Sequence, residues 1–275
     1  MVILLAIPAG CSQADELPAD LAPATLSTQS GDLDALLVDV VYLGERHDSV
    51  QDHAAQLEII LALYAENPDM AIALEMFQRP FQPVLDRYIA GEISEAELVA
   101  QSEYEQRWGF PWEYYAPILS FAQAHQIPVL ALNAPSEVVR QVAREGLESL
   151  QPQDFRYIPP LEALDTSNVD YQAFVREAFG GHGAHGDFNF DNFLAAQVMW
   201  DETMAEAIAA FRETSPNTRV VVLAGSGHVM YGYGIPSRVA RRSGESLTQT
   251  KVLLNPSEEM AAESGDIADV FWTSE

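Results

Sequence analysis

Basic residues are scarce in this chain. Only 14 of its 275 residues are Lys or Arg, against 41 Asp or Glu, giving a formal net charge of -27. Lys251 is the single lysine. Nucleic-acid binding needs a basic patch to neutralise phosphates, so a nucleic-acid partner is excluded. The acidic excess reads as a surface adapted for solubility, including in salt, and the informative charges are the few arginines. Cysteine is scarcer still. Cys11 stands alone, which excludes an internal disulfide and any zinc or iron–sulfur site built from cysteines. Beyond the N-terminus no apolar run is long enough to span a bilayer, and no Gly/Ser- or Pro-rich linker divides the chain. At this length one domain with a full core is expected.

The lone cysteine is informative by position. It follows the short apolar run of residues 1–10, which closes on Pro8, Ala9 and Gly10. This looks like the end of a bacterial lipoprotein signal peptide, in which Cys11 becomes the lipidated N-terminus. Pro8 stands where that box carries leucine. No Lys or Arg precedes the run, which points to a start further upstream; a buried, unmodified cysteine is the alternative. Residues 12–32, with Pro18, Pro23, Ser27, Ser30 and Gly31, read as a tether. The division is therefore 1–11 leader remnant, 12–32 tether and 33–275 folded domain.

Two short runs rich in β-branched residues, 38–43 and 220–224, each stop at a glycine turn and then a histidine: Gly44-Glu45-Arg46-His47 and Gly225-Ser226-Gly227-His228. Both runs are apolar enough to be buried strands of a parallel sheet. Met70–Leu74 and Ile127–Leu132 read as further strands, ending in Glu75 and Asn133, and Lys251–Leu254 as a fifth. Helices are expected over 48–66 with Leu57, Ile60, Leu61 and Tyr64 as the apolar stripe, over 91–101, 112–126 and 136–150, and over 189–213 with Phe193, Ala196, Met199 or Trp200, Met204 and Ile208 along one side. The fold expected is α/β: a mostly parallel sheet of about five strands flanked by helices, with a helical or irregular lid over about 151–190.

In such sheets ligands bind beyond the C-terminal strand ends. Glu45, His47, Glu75 and His228 all arrive there. Carboxylates and imidazoles in that number suit either proton transfer or a divalent metal such as Zn, Mn or Fe. The ordinary alternative is that Glu45 and His47 cap the following helix and His228 packs under the 231–236 loop. Asn133 reads first as a turn cap. His182 and His185 lie in a glycine-rich loop that can close over a ligand or be a solvated turn. Arg238, Arg241 and Arg242 can meet an anionic ligand or offset neighbouring acids. The aromatic run 108–115 reads as core, with a stacking wall for a planar cofactor as the alternative.

These residues carry a family resemblance. Gly44-Glu45-Arg46-His47-Asp48, Leu74-Glu75-Met76-Phe77, Trp108-Gly109-Phe110 through Tyr114-Tyr115, Ala196-Gln197 with Asp201 and Met204-Ala205, and the Gly225 to Pro236 segment resemble, in order, the ChaN-type haem-binding lipoproteins. The resemblance runs from about Val38 to Arg242. It implies an iron-regulated haem-uptake protein in the bacterial cell envelope, anchored by lipid to a membrane surface at the periplasmic face of the outer membrane, with an outer-membrane haem receptor as a further partner. It also implies a homodimer holding a cofacial haem pair, with a tyrosine on each iron and a histidine from the other subunit on the propionates. Tyr231 and Tyr233 are the ligand candidates, Tyr157 and Tyr171 remain open, and His182, His185 or Arg238 would serve the propionates. No C-x-x-C-H is present, which excludes covalent c-type attachment. The double G-x-x-H plan is also similar to the wider superfamily of TraB, Tiki and erythromycin esterase proteins. That similarity implies an alternative, a hydrolase in which Glu45, His47, Glu75 and His228 activate water with or without a metal.

Overall fold

The structure, a computed structural model, describes residues 33–182, 189–244, 246–262 and 267–274. The leader remnant with Cys11, the tether, His185 and the His182 side chain lie outside the described residues.

Six strands form one sheet: β1 (Val40–Glu45), β2 (Met70–Gln78), β3 (Val129–Asn133), β4 (Arg219–Gly225), β5 (Gln249–Leu254) and β6 (Val270–Trp272). Their order is β3-β2-β4-β1-β5-β6, and every pairing is parallel. β1 and β2 are buried along their whole lengths, as continuous β-branched and apolar runs require when both faces are covered. The expected α/β sheet is present with one strand more than anticipated. β6 is three residues long, too short to declare itself by periodicity.

The helices that cover the sheet are α1 (Val50–Glu66), α2 (Gln82–Ile89), α3 (Glu95–Gln101), α4 (Ala116–Ala124), α5 (Ser136–Glu145), α6 (Val169–His182), α7 (Phe190–Thr214) and α8 (Ile235–Ser243). Alternation along β1 divides the core in two. Val41 and Leu43 join Ile59, Ile60 and Leu63 of α1 on one face; Val40 and Tyr42 join Trp200, Met204 and Ile208 of α7 and Val239 of α8 on the other. Each fully buried aliphatic side chain here contributes about 1.5–3 kcal/mol.

Helix ends follow their caps. The Ser49 side chain accepts from the Asp52 N–H at the start of α1, Ser94 and Glu97 form a capping box on α3, and the Asn189 side chain accepts from the Asp191 N–H at the start of α7. One expectation changes. On α1 the buried face is Ala55, Ile59, Ile60, Ala62 and Leu63, whereas Leu61 is 40% exposed, because small alanines widen the inward stripe and rotate it away from the large residues that suggested it. The 151–190 segment, expected as helical or irregular, is both. It contains α6, whose Tyr171 and Val175 are buried in one cluster with Phe193, Leu194 and Val198 of α7.

Candidate functional site

Register brings the functional residues to one edge of the sheet. Glu45 at the end of β1 is paired with Gly225 at the end of β4, and Leu74, just before Glu75, is paired with Leu223. On its other side β2 slips relative to β3: Leu74 opposes Ala131, but the next pair is Gln78 with Asn133. Three residues of β2, Glu75 to Phe77, thus oppose one of β3, Leu132, an irregularity of the kind that re-aims side chains beside sites. Asn133 then donates from Nδ2 to the Glu75 carbonyl at 2.8 Å, so its role is to hold that bend.

Glu45 is buried and fully engaged. Its Oε1 accepts from the Tyr115 hydroxyl at 2.5 Å and pairs with His47 Nδ1 at 2.7 Å, its Oε2 accepts from Gln56 Nε2, and His53 Nδ1 lies 3.6 Å from the same oxygen. Burial works against the carboxylate's charge, but the His47 hydrogen bond, with the nearby imidazoles and the Tyr115 hydroxyl, holds its pKa below the ordinary value. Glu45 and His47 do not cap α1, because Ser49 does. His47 pairs through Nδ1 with Glu45, and its Nε2 points to Gly225, where an added Cβ would stand 2.8 Å from that nitrogen. Burial disfavours the imidazolium, yet the Glu45 hydrogen bond and the charge of Glu75 raise its pKa. The rings of Trp108 and Phe110 pack against it at 4.8 and 5.1 Å.

Glu75 stands at the centre. Its Oε2 accepts the Gly225 N–H at 2.7 Å, while Oε1 lies 3.5 Å from His228 Nε2 and is buried without a hydrogen-bond partner. His228 pairs through Nδ1 with Asp201 at 2.6 Å, and Asp201 in turn accepts from the buried Tyr171 hydroxyl at 2.5 Å. Burial again opposes the charge on His228, but Glu75 and Asp201 raise its pKa to about 9. Burial pushes the Tyr115 and Tyr171 phenols well up, so both stay neutral donors. The arrangement is a buried relay of two hydrogen-bonded arms, Tyr115–Glu45–His47 and His228–Asp201–Tyr171, flanking Glu75, whose own hydrogen bond is to the Gly225 N–H. Imidazoles oriented by carboxylates around a third carboxylate can hold and move a proton.

The four residues considered as metal ligands therefore converge, but as this relay. Among the described residues no group of three or more His, Cys, Asp or Glu side chains is disposed to hold a metal ion. Glu45 and the Nδ1 atoms of both histidines already serve one another or Asp201.

Tyr231 and Tyr233 lie elsewhere, stacked on each other at 5.2 Å with an interplanar angle of 20° and each edge-on to Phe174 of α6. Both are half-buried. Tyr231 adopts φ 57°, ψ 0°, a left-handed conformation that costs a residue with a Cβ about 1–3 kcal/mol and that clusters at ligand sites. Arg238 is buried and committed: it reaches Glu202 at 3.3 Å, donates to the carbonyls of Tyr233 and Gly234, and lies over the Tyr171 ring. Arg241 and Arg242 bind the same Glu202 carboxylate, at 2.6 and 2.5 Å, so this arginine cluster answers a buried acid. Tyr157 lies under the Arg156 guanidinium.

His53, Gln56 and Glu202 escaped the sequence reading as site residues, and Asp201 entered it only through the family resemblance. Their signal is weak but present. Asp201-Glu202 is a pair of adjacent acids between the apolar residues Val198–Trp200 and Met204–Ala205 of one helix, and buried acids need partners.

Comparison with known proteins agrees with this fold. A family profile described as "Haem-binding uptake, Tiki superfamily, ChaN" matches residues 34–239. Among solved structures, ChaN of Campylobacter jejuni with cofacial haem bound superposes with a TM-score of 0.67 at 22% identity, covering 85% of this chain and 88% of that one; at that identity the likeness establishes the fold. Protein RETICULATA-RELATED 5, chloroplastic, of Arabidopsis thaliana is 28% identical over 254 residues, covering 86% of this chain but only 34% of the plant protein. The chain thus spans about a third of that relative's length.

Proposed function

The chain belongs to the haem-binding uptake family of the Tiki superfamily that includes ChaN, and from that premise we propose that it binds haem and serves haem or iron uptake. The observation that carries the reading is the Tyr231–Tyr233–Phe174 aromatic face, half-buried and containing a strained tyrosine. This face fits the group: a planar porphyrin packs on aromatic surfaces, and a phenol oxygen is an established ligand for haem iron. Tyr231 or Tyr233 would hold the iron; bound there, the haem supplies a ferric centre that tyrosinate stabilises for capture and release. Arg238 supports the tyrosine loop through its carbonyls, and His182 and His185 serve the propionates. Cys11 carries the lipid that anchors the protein in the cell envelope, at the periplasmic face of the outer membrane, and a second copy of the chain completes the haem site as a homodimer, with an outer-membrane haem receptor as its partner in transfer.

Titrating the full chain with ferric haem tests this. Saturable binding with a tyrosinate-like absorption spectrum, lost in Tyr231→Phe or Tyr233→Phe and accompanied by a doubling of mass in solution, is expected. Haem binding that is non-saturable, or identical in both variants, would overturn the tyrosine assignment.

A second reading is favoured by one observation, the unpartnered Glu75 Oε1 set 3.5 Å from His228 Nε2. An open acceptor in a buried relay is placed to take a proton from water or a substrate, so a hydrolase using Glu45, His47, Glu75 and His228 is the alternative activity. Hydrolysis of a chromogenic ester, abolished by Glu75→Gln with haem binding intact, would support it; equal rates in the variant and the unmodified chain would dismiss it.

A further inference from the structure

A pocket of about 110 Å³ opens beyond the C-terminal ends of β2 and β3, between α5 and α7. In a chain with nearly three acids for each base, three arginines line it, Arg107, Arg140 and Arg144, and no Asp or Glu does. Arg107 is already answered by Glu103 and Glu137. Arg140 feels the charge of Glu137, but neither its side chain nor that of Arg144 makes a hydrogen bond or an ion pair within 4 Å among the described residues. At the pocket's inner wall are two buried side chains of α7, Gln197 and Trp200, 3% and 4% exposed. Gln197 Oε1 and Trp200 Nε1 are both buried without a partner. An orphaned acceptor and an orphaned donor each carry a desolvation cost that a bound molecule would relieve. The rest of the wall is mostly apolar and aromatic, with Trp108, Val139 and Phe193 its largest members, beside the polar Gln78, Asn133 and Ser136.

We propose that this pocket is a binding site for a small amphipathic monocarboxylate, its acid group on Arg140 and Arg144 and a hydroxyl at its far end hydrogen-bonded to Gln197 and Trp200. Guanidinium groups recognise planar carboxylates through paired hydrogen bonds, and the aromatic wall selects a flat apolar body. The size is limited as well. At about 10–15 Å³ for each water-sized centre, the volume admits about seven to eleven non-hydrogen atoms. The surrounding negative field penalises multiply charged anions far more than a single carboxylate. The site is coupled in space to the relay: the Trp108 ring packs on His47 and the Trp200 ring on His228 at 5.1 Å, so the hydroxyl end faces the proton-transfer residues. This inference stands apart from the haem reading, which uses the Tyr231 face.

The test follows tryptophan fluorescence of the full chain during titration with 4-hydroxybenzoate, benzoate, 4-hydroxybenzamide and inorganic phosphate. Saturable quenching by 4-hydroxybenzoate is expected, with the amide at least about tenfold weaker, since it lacks the charge that the arginines bind. The Arg140→Gln/Arg144→Gln double variant should lose a similar factor for 4-hydroxybenzoate. Gln197→Leu should weaken 4-hydroxybenzoate but leave benzoate unchanged. Equal affinity for carboxylate and amide, displacement by equimolar phosphate, unaltered affinity in the double variant, or no saturable response would each overturn the proposal. The amide comparison uses the unmodified chain, so it decides even if a variant fails to fold.

Discussion

At Gly225 a single hydrogen atom stands where any side chain would strike His47 Nε2 at 2.8 Å. Its backbone conformation is ordinary, φ -55°, so space alone demands glycine. Gly225→Ala is expected to push His47 off Glu45 and destabilise the fold by about 1–3 kcal/mol, as overpacking does, measured by denaturant unfolding with the His47 ring resonances as the local readout. His228 makes a pH prediction. Its folded pKa of about 9 exceeds the ordinary 6.5, so its contribution is fully present below about pH 6.5 and is lost as pH rises through about 9, on the order of 3 kcal/mol. Glu45 acts with the opposite sign: its lowered pKa gives stability present above its unfolded value near 4.5 and lost as pH falls through the folded one. Unfolding midpoints should therefore decline from pH 6.5 to 9.5 and again in acid, and His228→Gln should flatten the alkaline limb. An alkaline slope unchanged in that variant would contradict the assignment of charge to His228.

Among the elements, α7 carries the most. Its 25 residues, about 38 Å of helix, supply Trp200, Met204 and Ile208 to the core, Asp201 to the relay, Glu202 to the arginine cluster and Gln197 to the pocket. Its placement depends on where it starts. Asn189→Ala removes the side-chain acceptor for the Asp191 N–H and should cost about 1 kcal/mol, whereas Asn189→Ser should cost only a few tenths, both read as shifts in unfolding midpoint at unchanged slope. α7 was readable in advance because its apolar residues recur at helical spacing over seven turns. α6 was obscured: Gly180 and Gly181 near its end and a preceding Pro-rich stretch suppress the helical signal, and only packing of Tyr171 and Val175 on α7 settles its conformation.

For the whole molecule, a formal charge of -27 makes self-repulsion a global term. Raising ionic strength from about 0.01 M to about 1 M shortens the screening length from about 30 Å to about 3 Å, so the thermal midpoint should rise with added NaCl until screening is complete. The buried relay is shielded from that change, and the His228 pH limb should keep its position, which separates surface from interior electrostatics in one experiment.

The strand runs, the glycine turns that follow β1 and β4, and the strand-ending Glu45, Glu75 and neighbouring histidines are local patterns, written in the order of residues. They determine that a parallel sheet delivers these groups to one edge, because periodicity and strand direction are properties of short segments. What joins Glu45 to Tyr115 seventy residues away, sets Asp201 against His228, and gathers Arg140 and Arg144 beside Gln197 is the register of β2 on β4 and the docking of α7 on the sheet. Those depend on how separate faces fill one another's volume. Residue types name possible partners, but only the packed geometry decides which of their polar atoms meet.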